Sequence, residues 1–131
     1  MERNIMFKPN SLIIYVENVA LSTDFYKKIL NVEPLETYEE FSVFPISSDF
    51  ILGIQAKSGI DPKPQPQFGG FEMCLADVTE DDVDAIYQEW KKLGITFELE
   101  PTHLDFGYTF VGVDPDGHRL RVCATDTSNI N

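Results

Sequence analysis

Apolar and polar residues alternate along this chain in two rhythms, one of period two and one of period 3.6, and their order repeats. Leu12, Ile14 and Val16 share one side of a short alternating run, which reads as a strand. Asn18 stands where a helix cap is needed. Phe25, Tyr26, Ile29 and Leu30 follow at helical spacing, so a helix is predicted to about residue 30. Residues 34–37, 41–46 and 50–56 read as three more strands, with Ser47, Ser48 and Asp49 as a turn. A stronger helix opens at Thr79. Glu80, Asp81 and Asp82 match its positive first turn, Lys91 and Lys92 its negative last turn, and Gly94 stops it. Val83, Ile86, Tyr87, Trp90 and Leu93 form its apolar face, which places Trp90 in the core. Residues 108–113 and 119–124 are strands joined by Asp114-Pro115-Asp116-Gly117. In that turn proline presets φ, the aspartates bond their own backbone, and glycine takes the positive-φ position.

The two halves resemble each other. Residues 48–56 lie against 117–124, with Leu52 and Ile54 matching Leu120 and Val122. Upstream, residues 12–19 resemble 71–78, and each segment precedes a helix carrying a Lys-Lys pair. Self-similarity in fixed order signals a duplicated unit. The unit is strand–helix–strand–strand–strand, used twice, which predicts an α+β fold of two βαβββ modules. Residues 1–131 are read as one domain: a first module over about 10–57, a linker over about 58–68 and a second module over about 69–125. The linker holds Pro62, Pro64 and Pro66, which favour extended, ladder-free backbone. Such a segment can span two subunits or fold back on one.

Composition narrows the partners. Twenty-two acidic against ten basic residues give a net charge of −12, which repels phosphate backbones and excludes nucleic acid as a natural partner. The first residues lack a signal peptide's apolar run, and no stretch approaches the ~18 apolar residues of a membrane span. The expectation is a cytoplasmic protein with no membrane partner. Cys74 and Cys123 both fall in predicted strands and are expected to be reduced core thiols. The acids at residues 80–84 read as a solvated helix start rather than a metal site. His103 and His118 read as satisfied surface or turn histidines.

The repeated module, Asn18 before a helix containing Phe25-Tyr26, and the Asp-Pro-Asp-Gly-His turn before the last strand are together similar to the glyoxalase/bleomycin-resistance/dioxygenase superfamily, also called the vicinal oxygen chelate fold. The likeness spans about residues 10–125. Within it, the ending Asp-Pro-Asp-Gly-His…Arg-Val-Cys resembles small antibiotic-binding resistance proteins of the phenazine type. The resemblance implies two modules whose curved mixed sheets form a cleft, and a homodimer in which modules are sometimes exchanged.

Catalytic members hold a divalent metal with His, Gln or Glu side chains from the first and last strands of each module. Carried onto this chain, those positions are Ser11, Gly53, Glu72 and Arg121. Only Glu72 is a good ligand. Serine is a weak neutral donor, glycine has no side chain, and arginine is a permanent cation. No metal and no cofactor are therefore expected. No nucleophilic triad or phosphate loop is visible, so no catalytic residue is assigned.

Alternation places Ser11, Ile13, Tyr15, Gln55, Glu72, Cys74 and Arg121 on the cleft side. Phe44, Tyr108 and Phe110 either add aromatic walls to that cleft or belong to the sheet core; periodicity leaves their facing open. These ten residues are the expected ligand-binding set, with Glu72 and Arg121 meeting at the cleft floor. The expected function is a metal-free protein sequestering an aromatic antibiotic or metabolite. The alternative is a metal-dependent lyase, isomerase or dioxygenase of the same fold.

Overall fold

A computed structural model describes residues 7–64, 68 and 71–128. The chain divides into two compact units, residues 1–64 and 65–131. Each is built on one plan. In the first unit β1 (Ser11–Val16) leads into α1 (Val19–Leu30), then β2 (Glu36–Thr37), β3 (Phe41–Ser47) and β4 (Phe50–Ala56). In the second, β5 (Glu72–Leu75) leads into α2 (Glu80–Lys92), then β6 (Thr96–Leu104), β7 (Gly107–Val113) and β8 (Arg119–Thr125). The sheet orders are β1-β4-β3-β2 and β5-β8-β7-β6. In each sheet the first and last strands pair in parallel, and the other pairs are antiparallel. This is the α+β architecture of two βαβββ modules that the half-repeat predicts. Among the described residues no helix is long and apolar enough to cross a membrane.

Local chemistry sets the helix ends. The Leu21 amide donates to Asn18 Oδ1 at 3.0 Å, satisfying one orphan donor of α1. Thr79 and Asp82 form a reciprocal capping box at the start of α2, each side chain accepting from the other's amide at 3.0 Å. Those bonds hold the Asp82 carboxyl below its ordinary range, the Thr79 backbone bond contributing most. The 114–117 turn forms as expected, with Gly117 at φ +89°. Of the predicted linker, Lys57–Gly59 is a short 3-10 turn, whereas residues 65–67 lie outside the described residues, as do Gly69 and Gly70.

The cores lie between each helix and its sheet. In unit 1, Ile14, Val16, Leu52 and Ile54 are almost fully buried. In unit 2, Val83, Phe110, Val122 and Ala124 form the centre, with Trp90 and Tyr87 packed against it. Trp90 meets the Phe110 ring edge-on at 5.3 Å, so it is core as expected.

The register settles the three aromatics left open by periodicity, and it turns them away from the expected cleft. Residues directly opposite across a pair share a face. Phe44 pairs with Leu52, Phe110 with Val122, and Tyr108 with Ala124. Those partners face the helices, so Phe44, Tyr108 and Phe110 do too. Phe44 and Phe110 are both fully buried. The Tyr108 hydroxyl donates to Asp84 of α2 at 2.6 Å. All three are corrected to helix-side packing residues.

Two consequences are measurable. Phe110→Ala should destabilise the fold by about 3–5 kcal/mol in denaturant unfolding, the range for emptying a buried aromatic site. Tyr108 supplies the second. Its bond to Asp84, then its burial and the nearby carboxylate charges, push the phenol up to about 12. The fold therefore favours the neutral phenol. Its contribution to stability is fully present below about pH 10, the ordinary tyrosine value, and is lost as pH rises through about 12. Ultraviolet titration of the folded protein should show one phenol ionising near 12, and Asp84→Asn should return it toward 10.0. A native spectrum in which every tyrosine titrates together would show that the bond is absent.

Candidate functional site

The face of each sheet turned away from its helix carries the remaining predicted site residues. In unit 2 this face carries a polar cluster beside Val111 and Val113. Glu72 stands on β5; Arg119, Arg121 and Cys123 stand on β8; Thr109 faces the same way from β7, opposite Cys123. Arg121 Nε donates to Glu72 Oε1 at 2.8 Å. Its Nη1 donates to Thr109 Oγ1 at 3.3 Å. The Thr109 hydroxyl gives its own proton to the Val122 carbonyl at 2.7 Å, so its oxygen is left to accept from the guanidinium. Below the pair, the Arg121 guanidinium lies 5.1 Å from the centre of the Phe106 ring. Glu72 and Arg121 thus meet as expected, with side-chain exposures of 35% and 13%.

The arrangement fixes one cation. An arginine has five N–H donors in a planar fork. Among the described residues the hydrogen bonds engage Nε and Nη1, and the Nη2 edge makes none. A planar anion or ring nitrogen could accept from that edge while Glu72 and Thr109 hold the side chain in place. Arg119 pairs with Glu98 at 2.9 Å, but both side chains are about half exposed, so that pair contributes little.

Cys74 needs a correction. It was expected in the core with Cys123; Cys123 is buried, but Cys74 is exposed, because β5 is a short strand at the end of its sheet. Partial burial, then the nearby Cys123 and Glu72, push its thiol up despite Arg121. The neutral thiol is a poor nucleophile and a poor metal ligand.

Unit 1 presents a different surface. Ser11 pairs with Ile51, Ile13 with Gly53, and Tyr15 with Gln55. Ile13 is 40% exposed and Tyr15 36%. Gln55 is half-buried and donates to the Ala56 carbonyl at 3.3 Å. The polar groups of this face are Ser11, Gln55, the Tyr15 hydroxyl and, from β2, Glu36 opposite Val43; the rest of the face is apolar.

Sequence reasoning missed Thr109 and Phe106. The first could have been found, since it lies on the Arg121 side of an alternating strand. Phe106 sits in the turn before β7 and has no periodic signal.

The residues at the positions assigned to metal ligands do not fit a metal. Ser11 is a weak donor, Gly53 offers nothing, and Arg121 is a cation already bound to Glu72. Among the described residues one group of possible ligands lies elsewhere: Asp114, Asp116 and His118, with ligand atoms within 4.8 Å of one another. Here Asp114 Oδ1 accepts the amides of Asp116 and His118 at 2.9 and 2.8 Å. Its Oδ2 pairs with His118 Nδ1 at 2.7 Å. The His118 ring lies 5.8 Å from that of Phe68 and 5.3 Å from that of Phe71. The carboxylate is occupied in locking the turn, and a cation would have to displace those bonds. His118 is a turn histidine as expected, but a buried one. His103 is exposed and pairs with Glu80 at 3.3 Å.

The chain is 38% identical over 122 residues to the phenazine antibiotic resistance protein EhpR of Enterobacter agglomerans, covering 90% of this chain and 92% of that one. It is 37% identical to the protein ATC0852 of Agrobacterium tumefaciens, whose solution structure superposes with a TM-score of 0.82 over 92% of this chain and 99% of that one. A lactoylglutathione lyase from Agrobacterium tumefaciens, 16% identical, has a TM-score of 0.68 over 88% of this chain and 92% of its own, which shows a shared fold alone. The sequence model of the Glyoxalase/Bleomycin resistance protein/Dioxygenase superfamily matches residues 8–122, and the chain belongs to that superfamily.

Proposed function

We propose that this protein binds and sequesters a flat aromatic antibiotic or metabolite of the phenazine type, without a metal and without chemical turnover. One observation carries the reading: a braced arginine, paired to Glu72 and Thr109 and stacked on Phe106, stands where a catalytic relative would need a metal ligand. A similar protein named for phenazine resistance supports it. The ligand-binding residues proposed are Ser11, Ile13, Tyr15 and Gln55 on the open face of unit 1 and Glu72, Cys74 and Arg121 on that of unit 2. Affinity comes from burial of the rings and from a charged hydrogen bond to Arg121. The protein works as a homodimer in the cytoplasm. The exposed apolar side chains Ile13, Leu75 and Phe71, and the position of β1 and β5 at the ends of their sheets, support self-association.

Three measurements test this. Phenazine-1-carboxylate should bind, and be recovered unchanged after long incubation. Arg121→Ala should weaken it by roughly 1.5–3 kcal/mol, and Arg121→Lys should not restore it, because an ammonium lacks the planar fork. Equal affinity in the alanine variant would remove Arg121 from the site. Elemental analysis of the purified protein should find no stoichiometric zinc, nickel, iron or manganese, and chelators should leave binding intact. One bound metal per chain, with an activity lost on chelation, would replace this reading with the metal-dependent enzyme. Light scattering should report twice the chain mass of 14.9 kDa at micromolar concentration; a monomer alone would count against the dimer.

A further inference from the structure

Gly53 lies inside β4, a strand flanked on both sides, with Ile13 of β1 and Val43 of β3 as its partners. Glycine in a strand interior is unfavourable by roughly 0.5–1 kcal/mol against alanine. It is not there for its backbone freedom, since Gly53 is outside the positive-φ positions, which are Gly94, Gly107 and Gly117 among the described glycines. The remaining reason for a strand glycine is a close approach. A Cβ built at Gly53 would stand 2.5 Å from Ile13 Cδ1 and 3.2 and 3.3 Å from Cε1 and Cζ of Phe41. The space over the glycine is thus covered by the tip of a flexible side chain and edged by an aromatic ring. Ile13 is 40% exposed, so its tip can turn out toward solvent. On this face β1, β3 and β4 present no charged residue, and the charge that the sheet does place there is Glu36 of the edge strand β2, opposite Val43.

We infer that Gly53 is a specificity-determining position. It leaves a slot in the open face of the first sheet, where a flat, neutral aromatic ring lies against the bare β4 backbone once Ile13 swings aside. A ring in van der Waals contact sits about 3.5–4 Å from the atoms beneath it, and any Cβ at this position would hold it off. Phe41 borders the ring, and Ile13 closes over its other side. This slot rests on the reading that the protein binds flat aromatic molecules, and it seats their ring system on unit 1.

The test uses unsubstituted phenazine, which carries no anionic substituent for Arg121, in equilibrium dialysis against the full chain. Gly53→Ala should weaken binding about tenfold or more, equivalent to at least 1.4 kcal/mol. Its melting temperature should stay within about 5 °C of the parent, because only the Ile13 tip has to shift. Adding Ile13→Ala to Gly53→Ala should not restore affinity, since the obstructing methyl is on the strand itself. In the unsubstituted protein, phenazine should move the Ile13 δ1-methyl NMR signal through the ring current. Several results overturn the slot while leaving the functional reading intact: equal phenazine affinity in Gly53→Ala, recovery in the double variant, or an Ile13 methyl signal that does not move. A Gly53→Ala protein that melts far below the parent shows a packing glycine and overturns it as well. Failure of the unsubstituted protein to bind any phenazine defeats the functional reading, and the slot with it.

Discussion

The parallel pairing of each module's first strand with its last is the constraint on which the rest depends. It places β5 beside β8 in the register Glu72 to Arg119 and Cys74 to Arg121. Side chains alternate across a strand, so this register fixes a whole face at once. A slip of one residue would send Arg121 into the helix-side core and bring Val122 into the open. The helix is what prevents the slip. Val122, Phe110 and Val83 are buried together between α2 and the sheet, and their packing holds only in the observed alignment. The hydrophobic core therefore positions the polar site, and the Val122 carbonyl takes the Thr109 proton.

Arg121 is held by a second physical requirement. Its side chain is only 13% exposed. A charge so far out of water without partners costs several kcal/mol, more than a small domain can spare. Glu72 supplies the counter-charge, Thr109 an acceptor, and Phe106 a π face. A leucine here would pack as well with less demand on its neighbours. What an apolar residue could not do is present a fixed cationic fork to a ligand. That fork is what the proposed ligand contact requires.

The architecture was legible in the sequence because two independent signals agreed. The strand and helix periods marked the elements, and the half-repeat ordered them. The meeting of Glu72 and Arg121 was legible for the same reason, since strand parity and module order together place them side by side. The facing of Phe44, Tyr108 and Phe110 was not. In β3 and β7 both sides carry apolar residues: Val43 and Phe41 stand opposite in parity to Phe44, and Val111 opposite to Phe110. A strand apolar on both faces gives no inside and outside until its partner is known. Cys74 was misjudged because periodicity reports which face a residue takes, not whether that stretch of sheet is covered. His118 was undervalued because its ring packs against those of Phe68 and Phe71, both upstream of β5 and remote in sequence.

The two modules have diverged most where they correspond. Gly53 and Arg121 occupy the same place in the repeat. Each is on the last strand of its module, pairing in parallel with the first strand and antiparallel with a valine, Val43 in one case and Val111 in the other. One position has lost its side chain entirely, and the other carries a long, charged one. Neither change improves the fold. The glycine weakens its strand, and the arginine demands partners for its charge. A duplicated module drifting under selection for stability alone would keep two ordinary apolar or hydroxyl residues at these sites. Each departure leaves its own open face with a distinct feature: bare backbone at Gly53 and a fixed cation at Arg121. Neither residue is a metal donor, since glycine has no side chain and arginine is a permanent cation.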